Sequence, residues 1–416
     1  MHGDISRAGH QRIRAMNVAD IADLLRTRGR SSRAELARAS GLSKPTVSSL
    51  IENLASAGIV QQAGSRAGRP GRAPILYEIR KDLGWVLGGE IRGSRLRLAV
   101  SRTGDPGHTA IEGNLTCMDE AQTAALLSRM INNLTRSVAI GPEKLIWAAF
   151  AVRDVTPDAE QPRRQRDYLT GALHRVFGDR HSVERATNMA ALAEYLRRGW
   201  DRGQRRSLAL VSVAEVIDAG FVLCGNLHRG AHDRAGRAAC LVEGDMSSLD
   251  PAHPPDDPRM SGQAPANPGG TRAGNAHRRP PPSGPMVGSR TATANMWRGS
   301  GGRGWVVYQR NGPQGWAADP RHARLVAGVL VRLIYLLDPD ALVLDAQVAR
   351  PREFRQSVER ELSRMVPWAS TRLEAAAWGE DTALSGCLAL AAQKAWQCVT
   401  NALSGGDLVL TADKIT

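Results

Sequence analysis

Lys44, Thr46, Ser48 and Ser49 fall on the outer face of one helix in the stretch RAELARASGLSKPTVSSLIE (33–52). An ammonium and three hydroxyls in that arrangement suit phosphate oxygens and base edges in the major groove of DNA. To present them, a helix-turn-helix needs small or apolar residues at four fixed offsets. Ala37 lets two helices approach, Gly41 makes the turn, and Val47 and Leu50 bury the second helix. Arg33, Ser43 and Pro45 flank the polar set and join it as candidate DNA contacts.

Local chemistry sets the helix boundaries independently. Ser32 followed by Glu35 is a capping box for the first helix, and Ser43 with Pro45 opens the second. Upstream, Val18, Ile21, Leu24 and Leu25 form one apolar stripe ending at Gly29, which predicts a third helix over the pair. Downstream, IVQQ (59–62) and ILYEI (75–79) alternate as strands around the loop AGSRAGRPGRAP, which carries Arg66, Arg69 and Arg72 as further DNA contacts. The unit reads as a winged helix-turn-helix over 17–80, preceded by a flexible tail at 1–16.

A chain of 416 residues has room for two or three domains. Its net charge of +14 comes from 55 Lys and Arg against 41 Asp and Glu. Residues 1–80 hold 13 of those cations against 6 acids, so half the excess sits with the DNA-reading motif. Five cysteines form no C-x-x-C pair, which fits a reducing cytoplasm and argues against structural zinc. The N-terminus lacks an apolar leader, and the greasiest stretch is broken by Arg332 and Asp338. The expectation is a soluble, cytoplasmic protein with no membrane partner.

Beyond the wing, WVLGGEI and RLRLAV read as a strand hairpin, 121–138 as a helix, and LIWAAFAV (145–152) as a buried strand. Strand, strand, helix, strand recurs with SLALVSVAEV, AGFVLCG, HARLVAGVLVRLIYLL and ALVLDA. Two similar α/β lobes are implied, 81–200 and 201–416. Residues 250–304 carry ten prolines and ten glycines in 55 positions and read as a disordered insertion in the second lobe.

In this order the motifs resemble regulators of the ROK family (repressors, open reading frames and kinases). GRP (68–70) is similar to the family's interdomain linker, and GWVLGGEIRGSRLRLAVSRTGD (84–105) resembles the opening hairpin of its actin-like, ribonuclease H-like ATPase fold. TNMAALAEYLRRG (187–199) resembles the helix after the family's catalytic aspartate, and AGFVLCGNLHRGAHDRAG (219–236) its ligand-binding strand and loop. LDPDALVLDA (337–346) with WGEDTALSGCLALA (378–391) is similar to the closing strand and helix. The resemblance makes Asn188, Glu194 and His228 the candidate effector contacts. On its helix, Glu194 reads equally as a solvated or capping carboxylate.

Active ROK members phosphorylate sugars, and four of their signatures are altered. The first phosphate loop, Asp-x-Gly-x-Thr in the family, reads Glu90, Ile91, Arg92, Gly93, Ser94. The second, normally glycine-rich, reads Ala214, Glu215, Val216, Ile217, Asp218. The Asn-Asp pair holding the general base is matched by Arg185 and Ala186. Glu-x-x-His is matched by Arg237 and Cys240, and the cysteine-rich zinc run is missing. The expectation is therefore a non-enzymatic regulator of the repressor type, without cofactor, metal or catalytic residues. It would bind double-stranded DNA as a homodimer or higher homo-oligomer, with 322–337 and 382–397 either association faces or simply core, and any effector would differ from the family's sugars and sugar phosphates. A ROK sugar kinase with an appended DNA-binding module and a regulator with a purely scaffolding body are the alternatives.

Overall fold

The computed structural model of the chain describes residues 2–65, 73–103, 107–115, 119–153, 160–200, 205–213, 217–238, 320–345, 352–377 and 379–404. Arg66, Arg69 and Arg72, residues 214–216 of the second phosphate-loop motif, Cys240 and the 250–304 segment lie outside them.

The first unit joins α1 (His2–Arg28), β1 (Ser31–Ser32), α2 (Arg33–Ser40), α3 (Lys44–Ser56), β2 (Val60–Ser65) and β3 (Ile75–Ile79). Its strands pair in the order β1-β3-β2, all antiparallel. Val18, Ile21, Leu25, Leu36, Leu50 and Leu54 bury their side chains in one cluster. Helix α1 already begins at His2, so the expected tail at 1–16 is replaced by helix.

Two five-stranded sheets follow. The first comprises β4 (Trp85–Arg92), β5 (Arg95–Arg102), β6 (Thr109–Asn114), β7 (Leu145–Arg153) and β8 (His181–Arg185), in the order β6-β5-β4-β7-β8. The second comprises β9 (Leu208–Val213), β10 (Ile217–Leu223), β11 (Asn226–His228), β12 (Ala341–Leu344) and β13 (Leu373–Ala375), in the order β11-β10-β9-β12-β13. Each sheet places three antiparallel strands beside two parallel additions, so the same topology occurs twice. This duplication matches the two α/β lobes expected from the recurring strand and helix patterns.

Helices α4 (Glu120–Ser137) and α5 (Glu160–Phe177) cover one face of the first sheet. Helix α6 (Ala186–Arg197) packs between the sheets, and α7 (Pro320–Leu337) with α8 (Arg352–Met365) covers the second. The last helix, α9 (Thr382–Ser404), does not stay with the second lobe as a division at residue 200 implied. Its Leu384, Cys387 and Ala391 pack against Val86, Ala149 and Met189, and a Cβ at Gly386 would fall 1.9 Å from the Met189 carbonyl oxygen. Further along, Val399 and Leu403 join the core of the first unit, where the Trp396 indole N–H donates to Asp23 Oδ1 at 3.2 Å. With its apolar residues used on both units, 382–397 is interior rather than a dimer face, because burial there already satisfies the apolar stripe.

Candidate nucleic-acid interface and interlobe cleft

The polar face of α3 is positioned by caps and by burial of its opposite side. Ser32 and Glu35 close a reciprocal capping box, and Gly41 adopts a left-handed φ of 73° that ends α2. The Ser43 hydroxyl accepts from the Thr46 N–H at 3.3 Å and pairs with the Thr46 hydroxyl at 2.7 Å. Val47, Leu50, Ile51 and Leu54 face inward. Lys44, Pro45 and Ser49 are exposed, while Thr46 and Ser48 are half-buried at the rim. Arg33 is tied down, with Nη2 3.4 Å from Glu52 and its guanidinium 5.2 Å from the Tyr77 ring centre. On the wing strands, hydrogen bonds from Arg30 and Gln61 hold the Glu78 carboxyl below its usual range.

In the body, the two sheets meet across a cluster of charges that joins Glu90 and Arg92 of the altered phosphate loop to Arg153, which the sequence pattern left unmarked. Arg153, at the end of β7, donates to Ser212 Oγ at 3.1 Å and reaches Asp345 Oδ2 at 3.4 Å, both in the second lobe. Ser212 in turn donates to Asp345 at 2.7 Å. Glu90 lies 4.0 Å from Arg153, and burial raises its pKa against the opposing pull of Arg153, Arg97 and Arg92. Between β4 and β5, Arg92 and Arg95 pair directly around a turn whose Gly93 takes φ +59°.

Deeper in the cleft, Arg185 is almost fully buried. Its guanidinium reaches Asp218 Oδ1 at 2.6 Å, Asn188 Oδ1 at 3.0 Å and the carbonyls of Ala219 and Ala235. Thr187 donates to the other Asp218 oxygen at 2.5 Å, and Glu184 takes Arg229 at 2.5 Å.

The effector candidates are not brought into one site. Asn188 is fully buried and engaged with Arg185 and Glu184. Glu194, also fully buried, binds Arg198 at 2.7 Å, Arg197 at 3.2 Å and the Ala377 N–H at 2.7 Å. It is an internal strut, which corrects the reading of a solvated carboxylate: its helix is covered on both sides. His228 stands exposed on β11, and its side chain makes no hydrogen bond or ion pair with a described residue.

The IclR helix-turn-helix domain model matches residues 15–64. A solved structure described as a ROK family transcriptional regulator, a homolog of the E. coli MLC protein, superposes with a TM-score of 0.61. It covers 97% of this chain and 99% of its own at 15% identity. The chain therefore shares the fold of that structure, with a helix-turn-helix unit ahead of two α/β lobes. Among curated relatives, the xylose repressor of Caldicellulosiruptor bescii is 23% identical over 213 residues, 49% of this chain and 53% of its own. A second relative, from Caldicellulosiruptor sp. (strain Rt8B.4), is 25% identical over 243 residues, 56% of this chain and 60% of its own. The chain thus spans little more than half the length of the curated relatives it matches.

The residues that depart from the ROK signatures now have positions. Arg185 stands in the slot that the resemblance gives to the base-bearing pair, and both terminal nitrogens of its guanidinium donate to the chain's own acceptors, while Nε is buried without a partner. A cation with no lone pair takes no proton from a hydroxyl. Arg153 was missed because it reads as the charged end of an apolar strand; only the fold brings Ser212 and Asp345 opposite it.

Proposed function

We propose that this chain is a sequence-specific DNA-binding transcriptional regulator of the repressor type, with a ROK body that carries out no phosphoryl transfer. The observation that carries the reading is the outward polar edge of α3, with Lys44 and Ser49 exposed on a helix capped at Ser43 and buried along Val47, Leu50 and Leu54. In a major groove, Lys44 and Ser43 would contact phosphates, while Thr46, Ser48 and Ser49 would address base edges. Arg33, Pro45, Arg66, Arg69 and Arg72 complete the proposed contact set. The repressor names of its relatives support the direction of regulation.

The body's role is to hold two copies so that two half-sites are read together. Tyr335, Leu336 and Trp368 form an exposed apolar edge at the end of α7, with the Tyr335 and Trp368 rings 5.4 Å apart, and this edge is the proposed self-association face. Engagement of Asn188 and Glu194 inside the fold supports an effector unlike the xylose of the relatives' names. Fluorescence anisotropy with genomic fragments tests the reading. A preferred fragment whose affinity drops in the Lys44→Ala, Ser48→Ala variant supports it, and equal affinity for all fragments refutes it. A coupled assay with ATP and a hexose panel is expected to give no phosphorylation.

A further inference from the structure

A cavity of about 910 Å³ lies away from α3 and from the Glu90, Arg153 and Asp345 charges between the lobes. It opens between the first unit and the body, walled by α1 and β3 on one side and by α6, the β10–β11 turn and α9 on the other. Its volume is in the range of small-molecule sites. Seven cationic side chains line it against one carboxylate, Glu78. Four of the seven are already paired: Arg26 with Asp23, Arg30 with Glu78, Arg80 with Asp82 and Arg229 with Glu184. Lys81, Arg205 and Lys394 form no salt bridge with a described residue, although the Lys81 charge also acts on the Glu78 carboxyl, so the wall carries an excess of cations from three separate segments.

The remaining lining is apolar and aromatic. Leu25, Leu83 and Leu192 contribute aliphatic surface, and Trp200 and Trp396 contribute rings. Each ring is polarised by guanidinium groups: Arg26 lies 5.8 Å from the Trp396 centre, and Arg206 and Arg198 lie 5.1 and 5.6 Å from that of Trp200. The excess of positive charge along the wall favours an anion by Coulomb attraction, and the aromatic and aliphatic lining favours a ligand with a hydrophobic part.

We propose that this cavity binds a small organic anion, a phosphomonoester on a flat or apolar group, at a site separate from the Glu90, Arg153 and Asp345 charge cluster. Because its walls come from both units, an occupied site ties the orientation of α1 and β3 to α6 and α9. That consequence for DNA rests on the regulator reading, whereas ligand binding itself is measured without DNA.

Calorimetric titration of the full chain with phenyl phosphate, inorganic phosphate and neutral benzyl alcohol tests the proposal. Phenyl phosphate is expected to bind most tightly and to perturb tryptophan fluorescence, with inorganic phosphate weaker and benzyl alcohol weakest. Lys81→Gln with Lys394→Gln is expected to weaken phenyl phosphate at least about tenfold, equivalent to about 1.4 kcal/mol, with an unchanged circular dichroism spectrum. Lys81→Arg with Lys394→Arg is expected to keep the affinity. No binding of either phosphate, equal binding of the neutral probe, or full affinity in the double glutamine variant overturns the assignment.

Discussion

Replacing Arg185 with methionine removes the charge from the middle of the body while keeping a long apolar stem. Asp218 then loses a partner at 2.6 Å while the Thr187 hydroxyl still donates to it, and Asn188 Oδ1 and the Ala219 carbonyl lose donors at 3.0 and 3.1 Å. Breaking a buried ion pair on one side costs about 3–5 kcal/mol. Asp218 keeps a fifth of its side-chain surface exposed, which places the expected cost near the low end, about 3 kcal/mol. At about 2 °C per kcal/mol for a large domain, the body's melting temperature should fall by about 6 °C. Scanning calorimetry of the full chain measures this, and a double-mutant cycle with Asp218→Asn isolates the pair. The double variant is expected to recover about 2 kcal/mol of the combined single losses. A loss below about 1 kcal/mol with no coupling would refute the idea that this guanidinium is a structural plug.

Three further outcomes are expected. Binding of the preferred DNA fragment should weaken as salt rises, with a log–log slope of about −0.9 per phosphate neutralised, and Lys44→Ala should reduce that slope by about one; an unchanged slope in a gel-shift series removes Lys44 from the interface. Burial raises the pKa of Glu90, so the folded chain holds that proton more tightly than the unfolded chain, and this contribution to stability is full at acid pH and lost as pH rises through the raised value. Glu90→Gln should therefore flatten that part of the stability curve in denaturant titrations, and an identical pH dependence would contradict it. Cys387 is fully buried with its thiol pKa pushed well up, whereas Cys224 is exposed, so mass spectrometry after native iodoacetamide treatment should find label at Cys224 and none at Cys387.

The first unit was legible because its signals are local. Ser32 with Glu35, Gly41 and Ser43 with Pro45 act within four residues of themselves, and each does in the fold what its chemistry implies. The repeated strand order was legible from apolar runs, and it became the duplicated sheets. The fate of 382–397 was not, since an apolar stripe reads alike whether it meets another copy, a sheet or a distant helix; α9 meets Val86 in one sheet and Ile21 in the first unit. The cleft was the least legible part. Sequence comparison located Arg185 as a departure, but its partners Asp218 and Ala235 lie 33 and 50 positions away, and Arg153 meets Asp345 across 192. The cationic cavity is likewise assembled from Lys81, Arg205 and Lys394, which share no motif.

Selection of genomic fragments by the purified full-length chain, followed by sequencing, tests the central claim most directly. The account predicts enrichment of an inverted repeat with half-sites about one helical turn apart, or a multiple of it, lost together in the variant combining Lys44→Ala, Ser48→Ala and Ser49→Ala. Recovery of fragments with no shared motif, or the same motif at full strength from the variant, would contradict it.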